Sequence, residues 1–255
     1  MSISVTHHLS TEEDVLVKRY ASWDRGEHRR EWTILSALHT AVPELVPQPV
    51  RSALDESPPW LSMTVLPGSP LSGALSNAQL DALEAALRSM WSVPADSLPP
   101  RRFDPASAFP ELGERFAASA RPAGVAGEAF DAAVSFLAAT ALQFDGGPAI
   151  VGHGDPNLAN YLWDGVRVRV VDFEDAGRSD VAYELATLVE HLSARSVDAV
   201  AFCARFDVDA GRLRAARALW ASFWLQLLLP GGPAARRNPP GTLDAQAHRL
   251  LDLLS

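Results

Sequence analysis

The first third of the chain contains short apolar runs whose spacing predicts β-strands. Two of these runs, residues 3–9 and 15–20, flank the polar stretch 10–14, which resembles the turn of a hairpin. A third run covers residues 60–66 and is followed by Pro67-Gly68, a pair typical of turns. We therefore predict three strands in this part of the chain.

A charged segment between the second and third runs predicts one helix. It begins near Asp24, and its apolar residues recur every third position from Trp32 to Leu38, which places them on one face. Prolines between residues 43 and 49 end it. Residues 1–67 are thus predicted to form a small, mostly β lobe that carries a single helix.

Beyond residue 70 the apolar residues follow a helical period, which is broken by a proline-rich connection from Pro94 to Pro110 and again between residues 150 and 173. Within this second interruption, residues 166–171 predict a short strand. Helices are predicted over 76–91 with Ser76 as N-cap, 128–144 ending before Gly146-Gly147-Pro148, 180–194, 197–206, 210–229 and 242–254. A β-rich lobe followed by a helical lobe over residues 68–255 predicts an α+β, bilobal fold with a ligand cleft between its lobes.

The composition narrows the class of partner. A net charge of −9 disfavours nucleic-acid binding, which needs Lys and Arg to neutralise phosphates, and leaves a cationic small molecule open. No apolar stretch reaches the roughly eighteen residues of a membrane span, and no secretory signal is visible. The single cysteine, Cys203, excludes an internal disulfide and fits a reducing cytosol. We therefore expect a cytoplasmic protein with neither a nucleic-acid nor a membrane partner; the oligomeric state is not indicated.

Residues 151–175 carry the candidate chemistry in the sequence VGHGDPNLANYLWDGVRVRVVDFED. Asp155 and Asn160 bracket a proline-containing loop, and an apolar run delivers Asp172 twelve residues after Asn160. Mg²⁺ prefers hard oxygen ligands such as a carboxylate and an amide carbonyl, which Asp172 and Asn160 supply. Asp155 can orient an attacking hydroxyl and accept its proton, while His153 is expected to hydrogen-bond the loop backbone.

Each part of this pattern is weak evidence when taken alone. An H-x-D tripeptide is usually a capped turn, and an aspartate that ends a strand usually caps the next element. The combination of H-x-D-x4-N with a strand-borne D-F pair at this spacing is much rarer, and it favours a phosphoryl-transfer site. Glu174 and Asp175, which follow Asp172, either face the cleft or cap the next turn.

Two segments, HGDPNLAN and VVDFEDAGRSDVAYELA, resemble the catalytic and metal-binding region of aminoglycoside phosphotransferases and their choline-kinase-like relatives. These families share the protein-kinase fold, which has its own H-R-D-x4-N and D-F-G elements. The resemblance implies that Asp155 is the catalytic base and that Asn160 and Asp172 hold Mg²⁺. It also implies transfer of the γ-phosphoryl group of ATP or GTP to a small-molecule hydroxyl, in an antibiotic-resistance or metabolite-kinase role.

The predicted small lobe supplies a second set of candidate residues. A kinase needs a strand lysine for the nucleotide phosphates and a helix glutamate to orient that lysine. Lys18, the only lysine in the chain, lies in an apolar run that resembles the V-A-I-K strand. Its partner is predicted to be Glu31, because residues 30–35 resemble the family's R-E-x-x-x-L helix, with Glu27 one turn earlier as the alternative. By the same resemblance, Thr64, Val65 and Leu66 form the hinge segment, whose backbone binds the adenine edge.

The sequence departs from the family pattern at its N-terminus. No glycine precedes Lys18, so the first strand and the phosphate-covering loop are expected to be missing. A late start codon, a natural minimal lobe or a loss of catalysis would each explain this. The alternative function is therefore a non-catalytic, nucleotide-binding pseudokinase or scaffold. A protein kinase is disfavoured because no A-P-E-like segment follows Asp172.

Overall fold

The computed structural model describes residues 7–140 and 149–255, and the chain divides into two compact units. The first unit comprises the described residues up to 102 together with 149–179, and the second comprises 103–140 and 180–255. The described strands all belong to the first unit. The predicted lobe boundary between residues 67 and 68 falls inside this unit and stays a prediction.

A four-stranded antiparallel sheet forms the N-terminal part of the first unit. Its strands are β1 (His7–Glu12), β2 (Val15–Tyr20), β3 (Pro49–Ala53) and β4 (Trp60–Thr64), in the order β1-β2-β4-β3. The predicted hairpin is present, but its turn is only Glu13-Asp14, with Glu13 in the left-handed region at φ 56°. Such a tight turn extends the strand through residues that polarity alone assigned to the loop. Residues 3–6 of the predicted first strand lie outside the described residues.

Helix α1 (Glu27–Ala41) packs against this sheet. It begins after Gly26, whose φ of 72° is easily adopted only by glycine, and therefore three residues later than Asp24. Its buried residues Glu31, Ile34, Leu35 and Leu38 recur at i, i+3, i+4 and i+7, the spacing of one helix face. Burying each leucine or isoleucine contributes about 1.5–3 kcal/mol. The apolar stripe thus fixes which face of α1, and so which side of Glu31, meets the sheet.

The rest of the first unit contains one helix and two small sheets. Strand β5 (Ser69–Pro70) precedes helix α2 (Asn77–Trp91), whose predicted N-cap Ser76 forms a reciprocal capping box with Gln79. The other strands are β6 (Ile150–Gly152), β7 (Tyr161–Trp163), β8 (Val168–Val170) and β9 (Gly177–Ser179). One sheet has the order β5-β7-β8 and the other pairs β6 with β9. The pairing of β6 with β9 places Gly152 opposite Gly177, at the two ends of the segment that contains Asp155 and Asp172.

The second unit is helical. Its helices are α3 (Ala108–Ala117), α4 (Gly124–Thr140), α5 (Val181–Glu190), α6 (Ala199–Cys203), α7 (Ala210–Leu228) and α8 (Thr242–Leu254), around a core that includes Phe116, Leu219 and Trp220. Helix α3 was missed because it starts within a proline-rich stretch, and Gly146-Gly147-Pro148 lies outside the described residues. Among the described helices, none combines the length and apolar character that a membrane crossing requires.

Candidate active site

Lys18 is a buried cation surrounded by carboxylates. It sits in the centre of β2, between Leu9 of β1 and Leu61 of β4, and is 2% exposed. Its Nζ lies 2.7 Å from Glu31 Oε2, 2.5 Å from Asp172 Oδ1 and 3.0 Å from Glu174 Oε2. Burial alone would lower the pKa of Lys18, but these three carboxylates outweigh burial and raise it above its ordinary value. The ammonium therefore stays charged.

Glu31, which α1 delivers to this cluster, has partners on both of its carboxylate oxygens. Oε2 accepts from Lys18 and from the hydroxyl of Tyr20, and Oε1 accepts from the backbone N–H of Phe173 at 3.3 Å. The alternative partner, Glu27, is also buried, but its carboxylate accepts instead from the side chain and backbone N–H of Arg25, at 2.8 and 3.1 Å. The structure thus brings Lys18 to Glu31 and leaves Glu27 as a local cap.

Asp172 has a backbone conformation that is uncommon for a residue with a side chain. Its φ is 70°, in the left-handed region that asparagine and aspartate tolerate better than most residues. This conformation ends the extended segment after β8 and turns the Asp172 carboxylate toward Lys18. Strained backbone of this kind concentrates at functional sites.

The loop from Gly152 to Asn160 is held by its own side chains. His153 Nε2 lies 2.9 Å from the carbonyl of Val171, and His153 Nδ1 lies 3.3 Å from the N–H of Asp155. Because the carbonyl only accepts and the N–H only donates, the imidazole proton is on Nε2. Asn160 donates its Nδ2–H to the carbonyl of Asp155 at 2.9 Å. These bonds join the loop to the segment that carries Asp172.

Asp155 is partly withdrawn from solvent, and burial raises the pKa of its carboxyl above the ordinary value. The negative charges of Asp172 and Asp175 add to this increase in pKa. A carboxylate with a raised pKa is a better proton acceptor than one in water. The surroundings of Asp155 are therefore compatible with the role of a general base.

A cavity of about 280 Å³ within the first unit adjoins this cluster. Its charged and polar lining includes Lys18, Glu31, Asn160 and Asp172, and the hinge segment, Thr64 to Leu66, lines it as well. The other lining residues are mostly apolar: His7, Leu9, Thr11, Leu16, Pro47, Met63, Leu162 and Val171. The cavity thus joins an apolar region to a charged end that carries one ammonium, two carboxylates and one amide.

The residues available for a metal ion are oxygen donors. Asn160 and Asp172 both line the cavity, and Asn160 keeps its carbonyl oxygen for a ligand because its Nδ2 is bound to Asp155. Asp172 binds Lys18 through Oδ1 and has a second carboxylate oxygen. This donor set fits Mg²⁺, which prefers one or two carboxylates completed by water and phosphate oxygens.

Three residues of this site were not predicted from the sequence. Tyr20 donates to Glu31, Glu174 binds Lys18, and His7 Nδ1 lies 3.3 Å from Glu174 Oε2. For Glu174 the sequence leaves two alternatives, a cleft residue or a cap, and the structure places its carboxylate against Lys18. The alternation of β2 offered one signal for Tyr20, since residues two apart on a strand share a face. No local signal could have identified the contact between His7 and Glu174.

The chain is similar to known phosphotransferases in sequence and to known kinases in fold. The model of the phosphotransferase enzyme family, APH, matches residues 5–222. No curated protein matches the sequence. A choline/ethanolamine kinase family protein from Mesorhizobium loti superposes with a TM-score of 0.70 at 17% identity, covering 99% of this chain and 86% of that one.

Two further solved structures are similar in fold. The choline kinase LicA from Streptococcus pneumoniae gives a TM-score of 0.68 at 12% identity, covering 100% of this chain and 91% of that chain. The aminoglycoside phosphotransferase APH(4)-Ia gives 0.71 at 15% identity, with the same two coverages. The prediction of an α+β, protein-kinase-like fold with a small β-rich part and a mainly helical part is therefore confirmed. Since the family model spans most of the sequence, the chain belongs to the phosphotransferase enzyme family.

Proposed function

We propose that this phosphotransferase is a small-molecule kinase that transfers the γ-phosphoryl group of ATP or GTP to a substrate hydroxyl with the help of Mg²⁺. The observation that carries the proposal is the cluster formed by Lys18, Glu31 and Asp172 at the charged end of a cavity that Asn160 also lines. A buried lysine oriented by a glutamate, beside oxygen donors for a metal, is the arrangement that phosphoryl transfer requires.

The nucleotide base is assigned to the apolar part of the cavity, beside Thr64, Val65 and Leu66. The Val65 N–H already donates to the carbonyl of Asp14 at 3.1 Å. We therefore assign recognition of the base edge to the Leu66 N–H and to the carbonyls of this segment. These groups present both a donor and an acceptor, which either purine can use.

The phosphates are assigned to the charged end of the cavity. Lys18 would bind the nucleotide phosphates, and Glu31 would hold the lysine side chain in place. Asn160 and Asp172 would hold Mg²⁺, which when bound neutralises charge on the polyphosphate. Asp155 would orient the acceptor hydroxyl and take its proton as the oxygen attacks the γ-phosphorus, while the bond from the γ-phosphorus to the β–γ bridging oxygen breaks and the nucleoside diphosphate leaves.

The structural relatives support a nucleotide and a small-molecule acceptor. One relative, a thermostable mutant of APH(4)-Ia, is described in a ternary complex with ADP and hygromycin B, and LicA is described in complex with AMP. The net charge of −9 suits a cationic acceptor. An antibiotic or a metabolite with a free hydroxyl fits this class equally.

The test is nucleotide consumption in the presence of Mg²⁺ and a panel of hydroxyl acceptors, including aminoglycosides, choline and sugars. We expect consumption to require an acceptor and to be lost in Asp155→Ala and Asp172→Ala. The exposed Asp207→Ala serves as a matched control and should leave it unchanged. A chain that binds Mg-nucleotide but consumes it with none of the acceptors would be the non-catalytic nucleotide-binding protein instead.

A further inference from the structure

We propose that Arg101 is a positioning residue that fixes the catalytic loop against the segment following Asp172. The inference rests on the proposed function, because it concerns the placement of Asp155 as the base. Arg101 lies outside the motifs that the sequence pattern singled out, in the proline-rich connection after α2.

Arg101 is a buried arginine that binds the loop directly. Only 2% of the residue is exposed. Its Nη2 donates to the carbonyl of Gly154 at 2.8 Å, one residue before Asp155, and its Nε donates to the carbonyl of Arg102 at 3.1 Å. The two bonds come from separate nitrogens held in one plane, whereas a lysine carries all three of its donors on a single nitrogen and cannot reach both carbonyls from the same two positions.

The backbone that carries Arg101 is anchored to β9. Arg101 N–H donates to the carbonyl of Arg178 at 3.2 Å, and Arg178 N–H donates to the carbonyl of Pro99 at 2.8 Å. The packing here is so close that a Cβ on Gly177 would lie 2.5 Å from Arg101 N and 2.6 Å from Pro99 O. Arg101 therefore projects from a rigid base.

The neighbouring residue, Arg102, binds Asp175, in the segment that follows Asp172. Its N–H donates to the carbonyl of Asp175 at 3.1 Å, and its Nη1 lies 3.4 Å from Asp175 Oδ2. Gly154 has a φ of 86°, and a Cβ at this position would collide with the carbonyl of Asp175. The Arg101-Arg102 pair thus binds Gly154 and Asp175 at the point where these two segments touch.

This geometry predicts a specific kinetic effect. If the Arg101 side chain is lost, Gly154 and hence Asp155 are free to shift relative to Asp172. A displacement of about 1 Å costs on the order of 100-fold in rate. Lys18 and the hinge segment have no direct bond to Arg101 among the contacts of the described residues, so nucleotide binding should be unaffected. A purely structural role would instead weaken folding, nucleotide binding and turnover together.

The experiment compares Arg101→Lys with Arg178→Lys. Arg178→Lys is the control, because it makes the same chemical change on the adjoining strand, β9. The side chain of Arg178 is exposed and, among the described residues, donates only to the carbonyl of Asp96. We expect Arg101→Lys to lower kcat about 100-fold while the Kd and KM for Mg-nucleotide stay within twofold. Arg178→Lys should change none of them. Arg101→Met is the second variant, and it should lower kcat at least as much.

Amide hydrogen exchange provides a readout that does not depend on turnover. The peptide containing Gly154 and Asp155 should exchange faster in Arg101→Lys than in the wild type or Arg178→Lys. The proposal is overturned if a folded Arg101→Lys keeps kcat within threefold of wild type, or if nucleotide affinity falls in parallel with kcat. If the wild type shows no phosphoryl transfer, the proposed function fails, whereas unchanged exchange at Gly154 refutes the role of Arg101 by itself.

Discussion

Two buried clusters of charge, one in each unit, have opposite compositions. In the Lys18 cluster, one ammonium meets the carboxylates of Glu31, Asp172 and Glu174. In the Glu190 cluster, one carboxylate meets three guanidinium groups. Glu190 is fully buried, and its contacts are Arg217 Nε at 2.8 Å, Arg249 Nε at 2.5 Å and Arg195 Nη1 at 3.5 Å.

The difference lies in what balances the surplus charge. Glu190 ends α5, where the helix dipole is negative and backbone carbonyls need donors. Arg249 Nη2 also donates to the carbonyl of Val189 at 3.3 Å, so the surplus of arginine has local acceptors. The Lys18 cluster has a surplus of carboxylate oxygens beside a cavity. The Glu190 cluster thus has the features of a stabilising cluster within the helical unit, whereas the Lys18 cluster has those that the proposed binding of a cation and phosphates requires.

The largest expected effect is loss of catalysis on Asp172→Asn. This change removes one negative charge from the Lys18 cluster and a carboxylate from the metal donor set, while it preserves side-chain volume. We expect kcat to fall about 1000-fold, the scale of losing a preorganised electrostatic contact in a transition state. Steady-state kinetics with Mg²⁺-nucleotide and the best acceptor would measure it. Unfolding by denaturant should remain close to wild type, and a large loss of stability would place Asp172 with the structural cluster instead.

For Glu190→Gln we expect a loss of stability without a change in nucleotide binding. Three arginines would then converge on a neutral amide, and removing one partner from a buried ionic cluster costs about 3–5 kcal/mol. Denaturant titration should show a decrease in unfolding free energy of about 3 kcal/mol. The Kd for Mg-nucleotide should not change.

Glu44→Gln is the matched control for the Glu190 variant. Glu44 pairs with Arg167 at 2.9 Å, but both side chains are largely exposed. Such pairs contribute about 0–1 kcal/mol. Equal losses of stability in the two variants would show that burial of Glu190 is not what makes its cluster stabilising.

A smaller effect is expected for Lys18→Met when nucleotide affinity is measured. A hydrogen bond to a charged group contributes about 1.5–3 kcal/mol, so the Kd for Mg-nucleotide should rise at least about tenfold. Isothermal titration calorimetry would measure this directly. Arg19→Met alters the adjacent, exposed residue of β2 and should leave Kd unchanged. Similar changes in both variants would indicate a general effect of positive charge.

The smallest effect concerns Cys203, which lies close to the Glu190 cluster. Burial raises the pKa of the Cys203 thiol to about 11; the charge of Arg217 lowers it and that of Glu190 raises it. The thiolate is the reactive form, so alkylation by iodoacetamide should be slow at pH 8 and accelerate as the pH rises toward 11. Mass spectrometry of the alkylated protein would follow this. Rapid alkylation at pH 8 would show that the thiol is more accessible than the structure indicates.

The sequence was most informative where function requires an unusual residue in a regular element. A lone lysine in an apolar run made Lys18 a candidate, and the spacing of Asp155, Asn160 and Asp172 made the loop a candidate; the structure brings Lys18 to Glu31 and Asp172. The preference for Glu31 over Glu27 came from the resemblance of residues 30–35 to the family's R-E-x-x-x-L helix, and the structure pairs Glu31 with Lys18. Gly26 starts the helix at Glu27, and the apolar stripe then turns Glu31 toward the sheet.

Contacts between distant segments could not be predicted in this way. Arg101 reaches Gly154 across 53 positions of sequence, from a connection that has neither helical nor strand periodicity. Glu174 binds Lys18 only because the backbone turns at Asp172, which adopts a positive φ that no local pattern indicates. Strand β3 was missed because Pro49, its first residue, indicated only the end of α1. In each case the determining interaction is tertiary.

The central claim is that the Lys18 cluster forms a joint site for Mg²⁺ and nucleotide phosphates. Its most direct test is calorimetric titration of the wild type and Asp172→Asn with a non-hydrolysable nucleotide, with and without Mg²⁺. We predict that Mg²⁺ tightens binding to the wild type at least about tenfold, equivalent to about 1.4 kcal/mol, and that Asp172→Asn removes most of this difference. Equal affinities with and without Mg²⁺ in the wild type, or the same Mg²⁺ effect in both proteins, would contradict the claim.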